Sequence, residues 1–133
     1  MDYRETDCSE QLRERYREDR FPWKLGIELE DVRAGYARVR MIVTPDMHNF
    51  NGVTHGGALF TLADTAFGLA SNTRGTALAM QVSVNYVKGT VSGDRLIAVA
   101  EEEHLTRSTG IYRMTVYRGE DKVALLRGTV FRK

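Results

Sequence analysis

The chain has 133 residues, 42% of them hydrophobic and 28% charged, with a formal net charge of +1 at pH 7. That length and balance describe one soluble globular domain able to bury roughly two-thirds of the surface its unfolded chain exposes. Near-neutrality argues against a whole-surface footprint for nucleic acid while leaving room for local anion sites, and no run approaches the ~18 apolar residues of a membrane-spanning helix.

Residues 10–20 predict a short charged helix, with Leu12 and Tyr16 four apart on one side. Phe21-Pro22-Trp23 is expected to end it, because proline disfavours helical backbone in the residue before it. This polar, doubly charged start lacks the apolar core of a secretion signal and the acid-poor composition of a transit peptide. Cys8 is the single cysteine, so an intrachain disulfide is impossible and a reducing, cytoplasmic compartment is expected. Residues 25–30 and 36–43 read as strands around a turn at 31–35. In the second, Ala37, Val39, Met41 and Val43 alternate with Tyr36, Arg38 and Arg40, giving one buried and one wet face. A loop carrying Pro45, Asn49, Asn51 and Gly52 leads to residue 54.

From Gly56 to Thr73 the only charged side chain is Asp64. Leu59, Phe60, Leu62, Ala63, Ala66, Phe67, Leu69 and Ala70 surround the axis rather than form one stripe, which predicts a helix buried on nearly all sides and ending near 72–75. Four strands are then expected at 77–88, 95–105, 109–118 and 122–132, with hairpin turns at 106–108 and at Gly119-Glu120-Asp121. One long helix between two groups of strands implies an α+β domain in which an antiparallel sheet wraps that helix. A single sheet covers one side only, and a second subunit is the simplest cover for the other.

A carboxylate in such a helix loses hydration at a cost of several kcal/mol unless compensated, which makes Asp64 the first candidate for chemistry. His55-Gly56-Gly57 opens the helix, where unpartnered N–H groups and the helix dipole favour negative charge. The Gly56 N–H suits a carbonyl or oxyanion; the competing reading makes the two glycines a tight entry turn. Asp64 lies eight residues after Gly56, ~12 Å along the axis at ~1.5 Å per residue. One reacting carbon must sit about 3 Å from both the attacking group and the oxyanion donors. One chain cannot satisfy both, whereas two antiparallel copies of the helix across a two-fold axis can.

Asn49 either hydrogen-bonds the carboxylate or a water, or shapes a turn. His55 either helps polarise the carbonyl, or caps the helix. Gly57 and Thr65 are candidate substrate contacts on the helix, and Gln81 and Ser83 share a strand face with either a contact role or ordinary strand polarity. Lys88 and Arg107 sit near strand ends where a ligand phosphate could reach them. Three scattered histidines without HExxH or a cysteine cluster predict no metal site, and there is no Gly-x-Ser-x-Gly, GxxxxGK[ST] or GxGxxG.

Asn49, the run from His55 to Ala66 and Asn85-Tyr86 together resemble the hotdog-fold acyl-CoA thioesterases, most closely the phenylacetic acid degradation (PaaI-like) branch. The stretch from Asn49 to Gly75 carries most of the likeness, with His-Gly-Gly and an Asp nine positions after the His in an Ala-rich helix as its specific motif, and the match spans nearly the whole of a single domain, residues 1–133. The resemblance implies a long helix wrapped by a curved antiparallel sheet, homodimers assembling into homotetramers, and hydrolysis of an aryl-acetyl or medium-chain acyl-CoA. Coenzyme A is then part of the substrate and a product, with no other cofactor, nucleic acid or membrane involved. Asp64 takes the place of the family's nucleophile or general base, Gly56 that of the amide on the thioester carbonyl, and Asn49 and His55 those of supporting residues. Relatives often carry Arg-Pro after Asn-Tyr, where this chain has Val87-Lys88-Gly89. Two rivals share the fold: a non-catalytic acyl-CoA sensor, and a hydratase, which would pair the Asp with a nearby His that this helix lacks.

Overall fold

The computed structural model describes residues 2–133. Strands β1 (Glu28–Arg33), β2 (Tyr36–Ile42), β3 (Ala77–Tyr86), β4 (Arg95–Leu105), β5 (Thr109–Arg118) and β6 (Asp121–Arg132) form one six-stranded sheet ordered β1-β2-β4-β5-β6-β3. Every neighbouring pair is antiparallel. The sheet curves around one long helix, α3 (Gly56–Asn72), as a hotdog fold. After α3 the chain returns not beside β2 but at the far edge, where β3 pairs with β6.

The alternation in β2 comes out as read: Ala37, Val39 and Met41 are buried against α3 while Arg38 and Arg40 face outward to Glu28 and Glu30. Three boundaries differ from expectation. The first strand runs over 28–33 rather than 25–30, so only Ala34 and Gly35 are left for the turn expected at 31–35. Pro22 does not end a helix. The break falls at Asp19, after α1 (Ser9–Arg15) and a 3-10 turn (Tyr16–Glu18), and Pro22 sits early in a second short helix, α2 (Arg20–Lys24). Proline is tolerated in a first turn, where its missing N–H has no partner to lose. The strand after α3 stops at Tyr86, because the amides of Val87 and Lys88 both turn to the Val123 carbonyl.

The helix is also less enclosed than its composition suggests. Its buried residues cover most of the circumference, yet Gly57, Phe60, Thr61, Asp64, Gly68 and Asn72 remain open or half-open. These positions follow three- and four-residue steps, so they form one stripe along the helix. The sheet covers the other faces, and α1 and α2 flank the stripe without closing it.

Phe67 sets the distance between helix and sheet. Its ring packs at 5.9 Å from the fully buried Tyr112 ring and lies over Gly128 of β6. A Cβ built on Gly128 would come within 2.6 Å of Phe67 Cζ, far inside contact distance. Gly128→Ala is therefore expected to destabilise the fold by about 1–3 kcal/mol in urea titrations, and Phe67→Leu in the same chain to recover part of the loss. Equal stability of Gly128→Ala and wild type would contradict this packing.

Candidate active site

Asp64 projects from the open stripe of α3 into a groove of about 730 Å³ between that helix and the N-terminal segment. Leu12, Tyr16, Phe21 and Pro22 form one wall, and Phe60 and Leu69 the other. The apolar flanks leave the carboxylate reachable by solvent in the single chain, although the helix around it is buried. Among the described residues no donor hydrogen-bonds to it and no cation pairs with it. Desolvation by its surroundings, and then the negative charge of Asp19, raise its proton affinity above that of an ordinary carboxyl.

The first turn of α3 is tied down at every amide but one. The His55 N–H donates to the Met47 carbonyl at 2.6 Å, and the Ala58 N–H to the His55 carbonyl at 2.9 Å. The Gly57 N–H donates to His55 Nδ1 at 2.9 Å, so His55 is the helix cap. Gly56 alone keeps an N–H without a protein acceptor. Asn49 shapes the preceding loop: its Oδ1 accepts from the amides of Asn51 at 2.8 Å and Val53 at 3.4 Å. The structural reading of both residues is thus realised, while Asn49 Nδ2 and His55 Nε2 remain unengaged.

The remaining candidates do not gather at one place. Gly57 spends its amide on the cap, and Thr65, which lines the groove, donates its hydroxyl to the Thr61 carbonyl at 2.7 Å. Gln81 and Ser83 pair with Thr129 and Arg127 on the sheet face turned away from α3, so within one chain they do not meet Asp64. Lys88, just past β3, pairs with Asp121 at 3.2 Å. Arg107 lies in the β4–β5 turn at the opposite end of the sheet, its guanidinium 5.8 Å from the Tyr3 ring centroid. Phe60 lines the groove, whereas Leu59 and Phe67 are core and Met80 is exposed on β3. The wall supplied by residues 12–22 had no signal in the sequence beyond a charged helix, because its apolar residues are few and separated by the break at Asp19. Among the described residues no cluster of three His, Cys, Asp or Glu could hold a metal ion, and no helix is long and apolar enough to cross a membrane.

Residues 51–125 match the family model of the thioesterase superfamily. The chain is 41% identical over 119 residues to a putative esterase of Archaeoglobus fulgidus, covering 88% of this chain and 77% of the relative. It is 38% identical over 115 residues to the acyl-coenzyme A thioesterase PaaI of Escherichia coli, covering 85% and 82%. The chain belongs to the thioesterase superfamily. The solved structure of the E. coli PaaI protein from the phenylacetic acid degradation operon superposes with a TM-score of 0.90 at 35% identity, covering 94% of this chain and 93% of that one. As a PaaI-like hotdog protein it has relatives named esterase and thioesterase.

The raised proton affinity of Asp64 has a stability consequence with a definite sign. The folded chain holds this proton more tightly than the unfolded chain. The ionised group therefore costs stability as pH rises from its ordinary value of 3.8 through its raised folded value. Asp64→Asn is expected to melt above wild type at pH 7 and to converge with it as pH falls below that window. Thermal melts across pH 3–8 check this, and a variant melting lower at pH 7 would show a carboxylate stabilised by the fold instead.

Proposed function

We propose that this thioesterase-superfamily protein hydrolyses an aryl-acetyl or medium-chain acyl-CoA thioester at a site shared between two subunits. The observation that carries the reading is the unpartnered Asp64 carboxylate in a groove, lined by apolar side chains together with Arg15, Glu18 and Asp19, that is large enough for such an acyl group. Asp64 either takes a proton from water as it attacks the carbonyl carbon, or attacks that carbon itself and is released by water. In both cases the C–S bond breaks, the acyl group leaves as a carboxylate, and coenzyme A leaves as its thiol. The negative charge that builds on the carbonyl oxygen needs donors aimed at it, and the free Gly56 N–H at the positive end of the helix dipole supplies one. Losing one such donor typically costs ~10²–10³-fold in rate.

Gly56 and Asp64 of one helix stand ~12 Å apart, so the donor comes from a second copy. The two sheet edges support that copy at β3. Both edge strands carry one bulge, but the β1 edge also carries Glu28, Glu30, Asp31 and Arg33, charges that discourage pairing. The ten-residue β3 edge carries no charge and exposes Leu78, Met80 and Tyr86. A second β3 added there continues the sheet and brings two open helix stripes together. Assembly of dimers into a tetramer comes with the family resemblance. Lys88, near the Gly56 end and half-exposed, is the better placed of the two basic candidates for coenzyme A phosphates.

Thiol release from phenylacetyl-CoA, benzoyl-CoA and a medium-chain acyl-CoA tests the activity. Asp64→Asn is expected to lose at least about 10²-fold in kcat while keeping the native oligomer. Binding of all three without turnover would favour a sensor on the same fold, and a fully active Asp64→Asn would place the chemistry elsewhere. Sedimentation is expected to show a dimer or a multiple of it; an active monomer would overturn the shared site. Single turnover in ¹⁸O-water separates the two roles of Asp64, since label entering its carboxylate requires the covalent route.

A further inference from the structure

Tyr86 is the last residue of β3, on the strand face that looks toward α3 with Val82 and Val84. Its hydroxyl donates to the Gly56 carbonyl at 3.1 Å. Its ring lies against the Gly56 backbone so closely that a Cβ there would stand 3.1 Å from Cζ and 3.3 Å from the hydroxyl oxygen. The Gly56–Gly57 peptide is thereby held from both ends: Tyr86 holds its oxygen, and His55 Nδ1 accepts from its N–H at 2.9 Å. The adjoining His55–Gly56 peptide has its carbonyl committed to Ala58 N–H at 2.9 Å and only its N–H free.

A glycine adjoining a second glycine at a helix start is the least restrained backbone available. The Ala58 and Leu59 amides hold the far side of the His55–Gly56 peptide through the His55 carbonyl, but that peptide can still tilt where it joins the flexible Gly56, and a donor that wanders stabilises developing charge poorly. Tyr86 is anchored on the sheet, with Ala124 as its β6 partner and the next two amides fixed to Val123. It therefore ties the first turn of α3 to the rigid frame. Because the ring is half-exposed, this contact contributes little to burial, and its main consequence is the aim of one amide. A side chain at position 56 would push this ring aside by a few tenths of an ångström.

We propose that Tyr86 is a positioning residue that clamps the Gly56–Gly57 peptide and fixes the direction of the Gly56 N–H. Resting on the thioesterase reading, the clamp acts only when charge forms on the substrate oxygen, so its loss falls on kcat rather than on substrate binding.

The test pairs kinetics with a readout that needs no turnover. Tyr86→Phe is expected to lower kcat roughly 5- to 20-fold with KM within about twofold, its melting temperature staying near wild type. In ¹⁵N-glycine-labelled protein the Gly56 amide, assigned by its loss in Gly56→Ala, is expected to shift in Tyr86→Phe. Gly56→Ala should cost more beside Tyr86 than beside Leu, so Gly56→Ala and Tyr86→Leu are expected to be non-additive. A Tyr86→Phe enzyme with wild-type kcat, or an unchanged Gly56 amide, overturns the proposal. If wild type hydrolyses none of the thioesters, the thioesterase reading fails, and the Gly56 amide alone then decides whether the clamp exists.

Discussion

The seating of Phe67 over Gly128 is the constraint on which the rest depends. A side chain at 128 would push the helix off the sheet, and the glycine lets the ring descend until it meets Tyr112. With that contact fixed, the rotation of α3 about its axis is fixed as well. Ala63, Ala66 and Ala70 face the sheet with no exposed surface, and Asp64 is left on the single open stripe. Turning the helix by one residue would bury the carboxylate against the sheet, where no cation waits for it. The position of the candidate catalytic group thus follows from packing on the opposite side of the helix.

A second set of contacts builds the groove that Asp64 faces. Arg74, just beyond the helix, binds Glu102 through two nitrogens at 2.9 and 3.2 Å, and donates to the carbonyls of Arg4 and Thr6. The buried Tyr112 hydroxyl donates to the same Glu102, and Arg132 gathers the carbonyls of Thr106, Arg107 and Arg74. These bonds satisfy groups at the closed end of the sheet and hold the start of the chain there. From that anchor α1 and α2 run back along α3, and the Tyr16 hydroxyl fastens them by donating to the Ile27 carbonyl at 2.7 Å. The wall of the groove is therefore carried by the same core that fixes the helix.

At the other end of α3 the requirement is the reverse: a backbone left partly unsatisfied. A helix start usually recruits partners for all its early amides. Here the loop, the His55 imidazole and the His55 carbonyl take three, and one stays open beside a glycine that only a close ring can touch. A free donor held in one direction and a free carboxylate held in another are of little use ~12 Å apart in one chain. In the proposed dimer, joined through the uncharged β3 edge, they become complementary.

Much of this was legible in the residues themselves. Period-two alternation in residues 36–43, the apolar content of residues 56–72 and the turn chemistry at Gly119-Glu120-Asp121 specify the elements, because burial patterns and backbone preferences are local. The lone carboxylate and the His-Gly-Gly entrance marked Asp64 and Gly56 for the same reason. What sequence could not decide is whatever depends on distant chain segments meeting. The break at Asp19 rather than Pro22, the wall from residues 12–22 and the open stripe on a helix that reads as buried all arise from packing between elements. So do the turning of Ser83 and Gln81 away from the helix and the reach of Tyr86 to Gly56, thirty residues away in the chain. Local patterns fix which face of an element is apolar; only the closed structure decides what that face meets.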